Sequence, residues 1–451
     1  MAVVQIKLPF FKILNQFIET YRRIVVDLDS KTRIDDHTVR IGNSSIYVDI
    51  VETSEGAVRI GSMPDISKYT RKYGIEEKYV IVPPWVSSQG GDNRTGEEFC
   101  FWCYDMGLKT PPLYIGLKKD LEQLYKNLDM IYSYYFDETR RKIVKTDWLD
   151  KYFRSRSIDK APFTDGKLRI EYEGGKIKVY EGGNVIYQGV QEFINSGRFI
   201  DGYLSKIQQN KNRDFSITVV GNGNGFIGIT SSFVVEADDF KIWIDPAAQP
   251  AITLGRVGIN WDSITHLLIT HNHEDHISGF TACLKRSIDK GKRLKLITAT
   301  SVYNILVKQF KQLFPEIEDA VELIVFEPGK PLKLGNTLFT ARWNHHIIPY
   351  GTLGIKIGYN GKCWGLSGDT KYKREIVEEI GREELFPEWF TDCNLIFHEV
   401  VFDNPNSVHT YYEDLLEFKK RIKGELLVYH TDEGSVREGF RIAEVGKKYF
   451  V

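Results

Sequence analysis

Three histidines and an aspartate fall within six positions, His271-Asn272-His273-Glu274-Asp275-His276, directly behind the apolar run Leu267-Leu268-Ile269. Neutral imidazole and carboxylate are what a borderline-soft divalent metal binds, and zinc is the usual occupant. Histidines two apart, in a loop leaving a strand, can pinch one ion; Asp275 and His276 then turn towards a second. In a chain of this length the pattern arises by chance on the order of once in several thousand. Satisfied surface histidines do not account for it.

Two later strand ends extend the pattern. Lys362-Cys363-Trp364-Gly365-Leu366-Ser367-Gly368-Asp369-Thr370 is an apolar run ending at a carboxylate whose two oxygens could bridge two cations. Glu425-Leu426-Leu427-Val428-Tyr429-His430 delivers a histidine the same way. Each alone is commonplace, and their order after the first motif gives them weight. Of the 10 histidines only His37 precedes residue 266, so metal or proton chemistry belongs to the C-terminal half.

In these motifs the stretch 215–451 resembles the metallo-β-lactamase superfamily of metal-dependent hydrolases, and most closely its phosphodiesterase and tRNase Z branch. His346-Ile347-Ile348-Pro349-Tyr350-Gly351 matches that branch's following histidine and selects His346 over His345. The resemblance implies that His271, His273 and His346 hold one metal ion and Asp275, His276 and His430 the other, with Asp369 shared. It implies two divalent cations, zinc with manganese as the alternative, and attack by a metal-bound hydroxide on a phosphodiester. His409, in Ser407-Val408-His409-Thr410, sits where the branch carries an auxiliary histidine and is the candidate general acid, oriented by Glu399. Asp275 counts with these two in the catalytic set as well as among the ligands. Asp245 matches an acidic position that orients ligands rather than binding the ion. His398 has no matched role and reads as packing.

Spacing narrows the substrate. Only 23 positions separate His346 from Asp369, leaving no room for the arm by which standard tRNase Z enzymes grip tRNA. From Asp369 to His430 is 61 positions, too few for the inserted cap domain of the β-CASP ribonucleases. With 60 Lys+Arg against 61 Asp+Glu there is no polyanion-binding excess, so no long nucleic acid is expected. A small or cyclic nucleotide-type phosphodiester is the leading substrate. Hydrolysis of a lactone, thioester or other carboxylic ester is the alternative, and a metal-stabilised binding or sensing module is the reading from outside enzymes.

The N-terminal half is less explicit. An amphipathic helix over 8–28, strand-like runs at 38–50 and 78–86, and helices at about 117–135 and 190–208 are expected. Between them the runs 168–172, 176–180 and 184–187 alternate with period two, separated by Gly174-Gly175 and Gly182-Gly183, which predicts a meander. The polar stretch 208–214 marks the boundary between an N-terminal α/β (α+β) domain, 1–212, and a catalytic αββα sandwich, 213–451. Capping the site or dimerisation are the roles open to the first domain, and family relatives make a homodimer an expectation. Gly221-Asn222-Gly223-Asn224-Gly225 lacks a phosphate-binding fingerprint and reads as a plain turn. The five cysteines are too few and scattered for a disulfide framework, and Cys100 and Cys103 read as buried structural residues. No apolar run approaches membrane-spanning length, and the chain start lacks a cleavable signal layout, so a cytoplasmic location is expected.

Overall fold

The computed structural model describes residues 30–42, 47–61, 69–70, 72–82, 111–122, 124–126, 153–189, 215–225, 229–248, 250–311, 314–346, 351–431 and 436–451. The expected helices at 8–28 and 190–208, the 208–214 boundary, Cys100 and Cys103 lie outside the described residues. Those described form two compact units, one from residues 30–125 and 153–189 and the other from 215 onward.

In the first unit a seven-stranded sheet runs in sequence order through β1 (Lys31–Arg33), β2 (Thr38–Gly42), β3 (Tyr47–Val51), β4 (Ala57–Ile60), β5 (Glu77–Ile81), β6 (Leu113–Gly116) and β7 (Arg154–Ser157). The run expected at 38–50 is two strands paired antiparallel, β2 with β3. A second sheet contains β8 (Phe163–Asp165), β9 (Leu168–Glu173), β10 (Lys176–Glu181) and β11 (Asn184–Gly189). Its two tight turns are Gly174-Gly175, at φ 57° and 80°, and Gly182-Gly183, at φ 56° and 88°. Two successive positive φ values are what a two-residue hairpin requires, because that turn matches the strand twist. Ile170, Ile177 and Val179 of this sheet share a buried core with Val51, Val58, Tyr79 and Ile115 of the larger one.

The second unit is a sandwich of two sheets with helices outside. One sheet has the order β17 (Val321–Val325), β16 (Leu294–Thr298), β15 (His266–Leu268), β14 (Phe240–Ile244), β13 (Ser232–Ala237), β12 (Ser216–Gly221) and β24 (Lys448–Phe450). The other runs β18 (Leu332–Leu334), β19 (Thr337–Trp343), β20 (Leu353–Tyr359), β21 (Lys362–Leu366), β22 (Leu395–Glu399) and β23 (Glu425–Tyr429). Strands β12 and β13 are buried along their whole length, as both faces are covered. Phe233 fills the space between the sheets, with its ring 5.2 Å from Tyr429, 5.6 Å from Phe397 and 6.1 Å from Trp364. Outside the second sheet, Leu415 and Phe418 of helix Tyr412–Lys419 pack on Ile396 and Val428. Among the described residues, no helix is long and apolar enough to cross a membrane.

Strands β14 to β17 are mutually parallel, as are β21 to β23, so each set opens its carboxyl ends towards one edge. That edge is where the sequence places its histidines. Removing the Phe233 ring leaves a cavity between both sheets, and Phe233→Ala is expected to cost about 3–5 kcal/mol. Urea unfolding followed by tryptophan fluorescence would show this as a lowered midpoint with unchanged slope.

Candidate metal centre

Strand β15 is short and buried, and the chain leaves it through Ile269 and Thr270 into His271. A four-residue helix, Glu274–Ile277, turns Asp275 and His276 back across the strand ends. The turn closes at Gly279, whose N–H donates to the Pro246 carbonyl at 2.7 Å. A Cβ there would lie 2.2 Å from the Ala247 carbonyl oxygen, so no other residue fits without movement. Gly368, before Asp369, is similarly constrained, with φ 62° and a Cβ position 2.1 Å from the Leu353 oxygen. Two non-glycine residues of this edge, Asp245 at φ 47° and His430 at φ 62°, also take left-handed backbone. Such conformations persist where the surroundings over-determine them.

The side chains converge. His271 Nε2 lies 3.0 Å from His273 Nδ1, which lies 3.2 Å from His346 Nε2. Asp369 Oδ2 is 3.4 Å from both His276 Nε2 and His430 Nε2, and 3.9 Å from both His271 Nε2 and His346 Nε2. Asp275 Oδ2 lies 3.4 Å from His430 Nε2 and 3.6 Å from His276 Nε2. His271, His273, His346 and Asp369 form one group able to hold an ion, and Asp275, His276 and His430 a second. Two ligand atoms about 2.0–2.1 Å from one tetrahedral zinc sit about 3.3 Å apart, so these separations suit a coordination sphere. Asp369 Oδ1 and His276 Nε2 are buried without a hydrogen-bond partner, an arrangement that costs free energy until something positive faces them. His345 joins neither group.

Hydrogen bonds behind the imidazoles fix which nitrogen faces inward. The Thr270 hydroxyl donates to Asp245 Oδ2 at 2.7 Å, which leaves its oxygen to accept from His271 Nδ1–H at 3.0 Å. His276 Nδ1–H donates to the same carboxylate at 2.8 Å. Both rings therefore turn a lone pair on Nε2 towards the centre, and Asp245 is the residue that orients them.

Burial holds His271 well below the ordinary histidine value, His273 at about 4 and His346 at about 3, so all three are neutral at pH 7. Burial also works against the charge on Asp369, yet His430 and His276 keep its carboxyl well below the usual range. For His276, burial disfavours the cation, but Asp369, Asp275 and Asp245 outweigh it and raise the imidazole well above its ordinary value. Three carboxylates around one ring demand positive charge, which a proton or a metal cation supplies.

His409 stands beside this group. Its Nδ1 is 3.1 Å from Glu399 Oε2 and 3.9 Å from Asp369 Oδ2. Glu399 is fully buried, and its Oε1 accepts from the Thr370 and Thr410 backbone N–H groups, at 3.0 Å each. One carboxylate thus ties the turn after Asp369 to the loop carrying His409. Burial opposes a charge on His409, but Glu399 and then the two aspartates raise it to about 9. His398 is buried, donates from Nδ1 to the Glu399 carbonyl at 2.7 Å and packs on Phe418.

Three supporting residues escaped sequence reasoning. Asn344 Nδ2 donates to the carbonyls of Ser367, at 2.7 Å, and Asp369, at 3.0 Å, clamping the turn that bears the aspartate. Lys371 Nζ holds the loop before His409 by its Pro405 and Ser407 carbonyls, at 2.8 and 2.5 Å. The third is Thr270, described above. The available signal was position alone, since each sits within two residues of a candidate ligand.

Residues 215–449 match the sequence model of the family described as Anti-Pycsar protein Apyc1. The chain belongs to the Anti-Pycsar protein Apyc1 family. The αββα sandwich that the resemblance implied for 213–451 is the architecture of the second unit. Among curated relatives of this Apyc1-family chain, cGMP-dependent 3',5'-cGMP phosphodiesterase A of Dictyostelium discoideum is 25% identical over 263 residues, covering 54% of this chain and 29% of that protein. The chain thus spans less than a third of that relative's length. Anti-Pycsar protein Apyc1 of Saccharibacillus brassicae is 21% identical over 248 residues, 52% of this chain and 96% of that one. Of solved structures, the metallo-β-lactamase fold protein YhfI of Bacillus subtilis is similar with a TM-score of 0.42 and 19% identity, covering 52% of this chain and 99% of that one.

Attraction between His409 and Glu399 is complete below the ordinary histidine value of about 6.5. It is lost as the pH climbs through about 9. Replacing the acid in Glu399→Gln is expected to lower the His409 titration midpoint by more than about one unit. Imidazole chemical shifts followed against pH in metal-free protein check this, and an unmoved midpoint would refute the assignment.

Proposed function

We propose that this Apyc1-family chain is a phosphodiesterase with a dinuclear metal centre, acting on a small cyclic nucleotide-type phosphodiester. One observation carries the reading. A single oxygen, Asp369 Oδ2, lies within 3.4–3.9 Å of nitrogens from His271, His276, His346, His409 and His430, so one carboxylate stands between both ligand groups. The names of two Dictyostelium discoideum relatives, both 3',5'-cyclic nucleotide phosphodiesterases, support the substrate class.

His271, His273 and His346 would hold one cation, Asp275, His276 and His430 the other, and Asp369 both, with zinc the expected metal. Divalent cations so held would supply charge neutralisation at the phosphoryl oxygens and acidify an attacking water. The protein's own part is to keep the imidazoles neutral and aimed, through Asp245 and Thr270, and to deliver a proton to the departing alkoxide. His409 suits that role: its Nδ1 is turned to Glu399, which leaves Nε2 for the substrate side. Nearby cations would draw its raised value back towards neutrality, where general acids work best.

Purified protein loaded with zinc or manganese would be assayed on 3',5'-cyclic nucleotides, bis-p-nitrophenyl phosphate and a lactone panel. Cyclic nucleotides are expected to turn over, and chelation to abolish the activity. Asp369→Ala is expected to lose bound metal by elemental analysis along with the activity. His409→Ala is expected to lower kcat on cyclic nucleotides about 10²–10⁴-fold. On bis-p-nitrophenyl phosphate the same variant is expected to lose much less, because p-nitrophenolate departs without a proton. Efficient lactone hydrolysis with no phosphodiester turnover would overturn the proposal. So would full cellular function with Asp275→Ala, which would favour a sensing module.

A further inference from the structure

Away from the metal centre, at the amino ends of β21 and β22, two sulfur atoms meet. Cys363 is the second residue of β21, and Cys393 lies two residues before β22. Their backbones are pinned reciprocally: Cys363 N–H donates to Asn394 Oδ1 at 2.9 Å, and Asn394 N–H donates to the Cys363 carbonyl at 2.8 Å. The two Sγ atoms are 2.8 Å apart. Gly365 clears the space, since a Cβ there would approach the Cys393 sulfur to 3.2 Å and Phe390 to 2.5 Å.

Two chemistries use such a pair, a metal clip and a disulfide, and the geometry separates them. Thiolates sharing one tetrahedral zinc at about 2.3 Å sit about 3.8 Å apart, well beyond the observed separation. The third group within reach, Asp392, is already engaged, with its oxygens 2.9 and 3.0 Å from Lys356 Nζ. Lys356 is itself fixed by the Trp389 carbonyl at 2.9 Å. Closing a sulfur–sulfur bond of about 2.05 Å requires less than about 1 Å of movement.

We propose that Cys363 and Cys393 are a reversible dithiol–disulfide site that staples β21 to β22, taking as oxidant a low-molecular-weight disulfide of the glutathione class. Cys363 is partly exposed and Cys393 buried, which sets the order of events. The Cys363 thiolate attacks one sulfur of the small disulfide, that bond breaks, and one small thiol leaves. Cys393 then gives up its proton and attacks the Cys363 sulfur, and the second small thiol is released. Two electrons pass from the protein dithiol to the oxidant, and excess small thiol reverses both steps. Asp369 lies six residues beyond Cys363, about 20 Å along extended chain, so the bond braces the sheet without entering the metal centre. The site stands apart from the phosphodiesterase reading.

The full chain would be equilibrated with oxidised or reduced glutathione, alkylated, digested and mapped by mass spectrometry. Oxidised protein is expected to give a linked peptide pair joining Cys363 to Cys393, two hydrogens lighter than the separate peptides. Buried Cys283, whose thiol burial pushes up to about 12, is expected to stay unlinked. Tm is expected to rise by about 5 °C on oxidation. Cys363→Ser and Cys393→Ser, isosteric changes, are each expected to abolish the linkage and the rise. Alkylation of both cysteines after oxidation, a persistent glutathione adduct on Cys363, or unchanged Tm despite a linked pair would overturn the proposal. A zinc equivalent lost in both serine variants would do the same, in favour of a metal clip.

Discussion

A carboxylate buried among imidazoles is the constraint around which the sandwich is organised. Asp369 is 1% exposed, and leaving its charge unpaired there would cost several kcal/mol. Compensation comes from side chains on both sheets: His271 and His276 follow β15 of the first, while His346 and His430 follow β19 and β23 of the second. No single strand could supply it. The sheets must therefore meet at this edge, and the backbone bends to let them. Left-handed conformations at Asp245 and His430, and glycines at 279 and 368 where a Cβ would strike a carbonyl oxygen, are the local expense of that meeting.

Behind the imidazoles, two buried acids do similar work on opposite sheets. Asp245 accepts from the Thr270 backbone and hydroxyl and from His276, so one side chain fixes the loop and two ring orientations. Glu399 accepts from Thr370 and Thr410 and faces His409, so it fixes two loops and one ring. The difference lies in what each acid faces. Asp245 meets rings whose inner nitrogens point at the ligand cluster, whereas Glu399 meets a ring at the margin, where side-chain exposure reaches 22%. Equivalent hydrogen-bonding chemistry therefore aims two rings inward in one place and raises the pKa of a marginal imidazole in the other.

How much of this was legible follows from how local each signal is. The 271–276 motif is readable because its residues are rare and adjacent in the chain. Asp369 and His430 are readable because each ends an apolar run, which is how a strand delivers a side chain to a sheet edge. His346 could be told from His345 only by resemblance to a family. Asn344 and Lys371 were not legible, because an amide or ammonium that clamps a carbonyl looks in sequence like any solvated residue. The pairing of β24 with β12 joins positions over 200 residues apart, and no periodicity announces such a partner. In the first unit the Gly-Gly turns were legible because their conformation excludes most residues. The 38–50 run contains the turn-type residues Gly42-Asn43-Ser44-Ser45, a break in the alternation that separates β2 from β3.

The glycine-rich segment at the end of β12 was expected to be a plain turn, but Gly221 closes the strand and Gly223 bridges Thr230, so its described residues prolong the β12–β13 pairing. The Asn222 carbonyl accepts from Thr431 N–H at 3.1 Å, and Asn224 Nδ2 lies 3.4 Å from the His430 carbonyl. The peptide unit that follows His430 is thus gripped at its oxygen and at its N–H by a loop from the opposite sheet. Leu353 N–H donates likewise across the sandwich to the Thr270 carbonyl at 3.1 Å, beside His271. The loops that carry His271 and His430 are thus each anchored to the sheet they did not come from. A displacement of either sheet would be felt by both groups of candidate ligands together, so the cluster is held by the rim of the sandwich and not by any one strand.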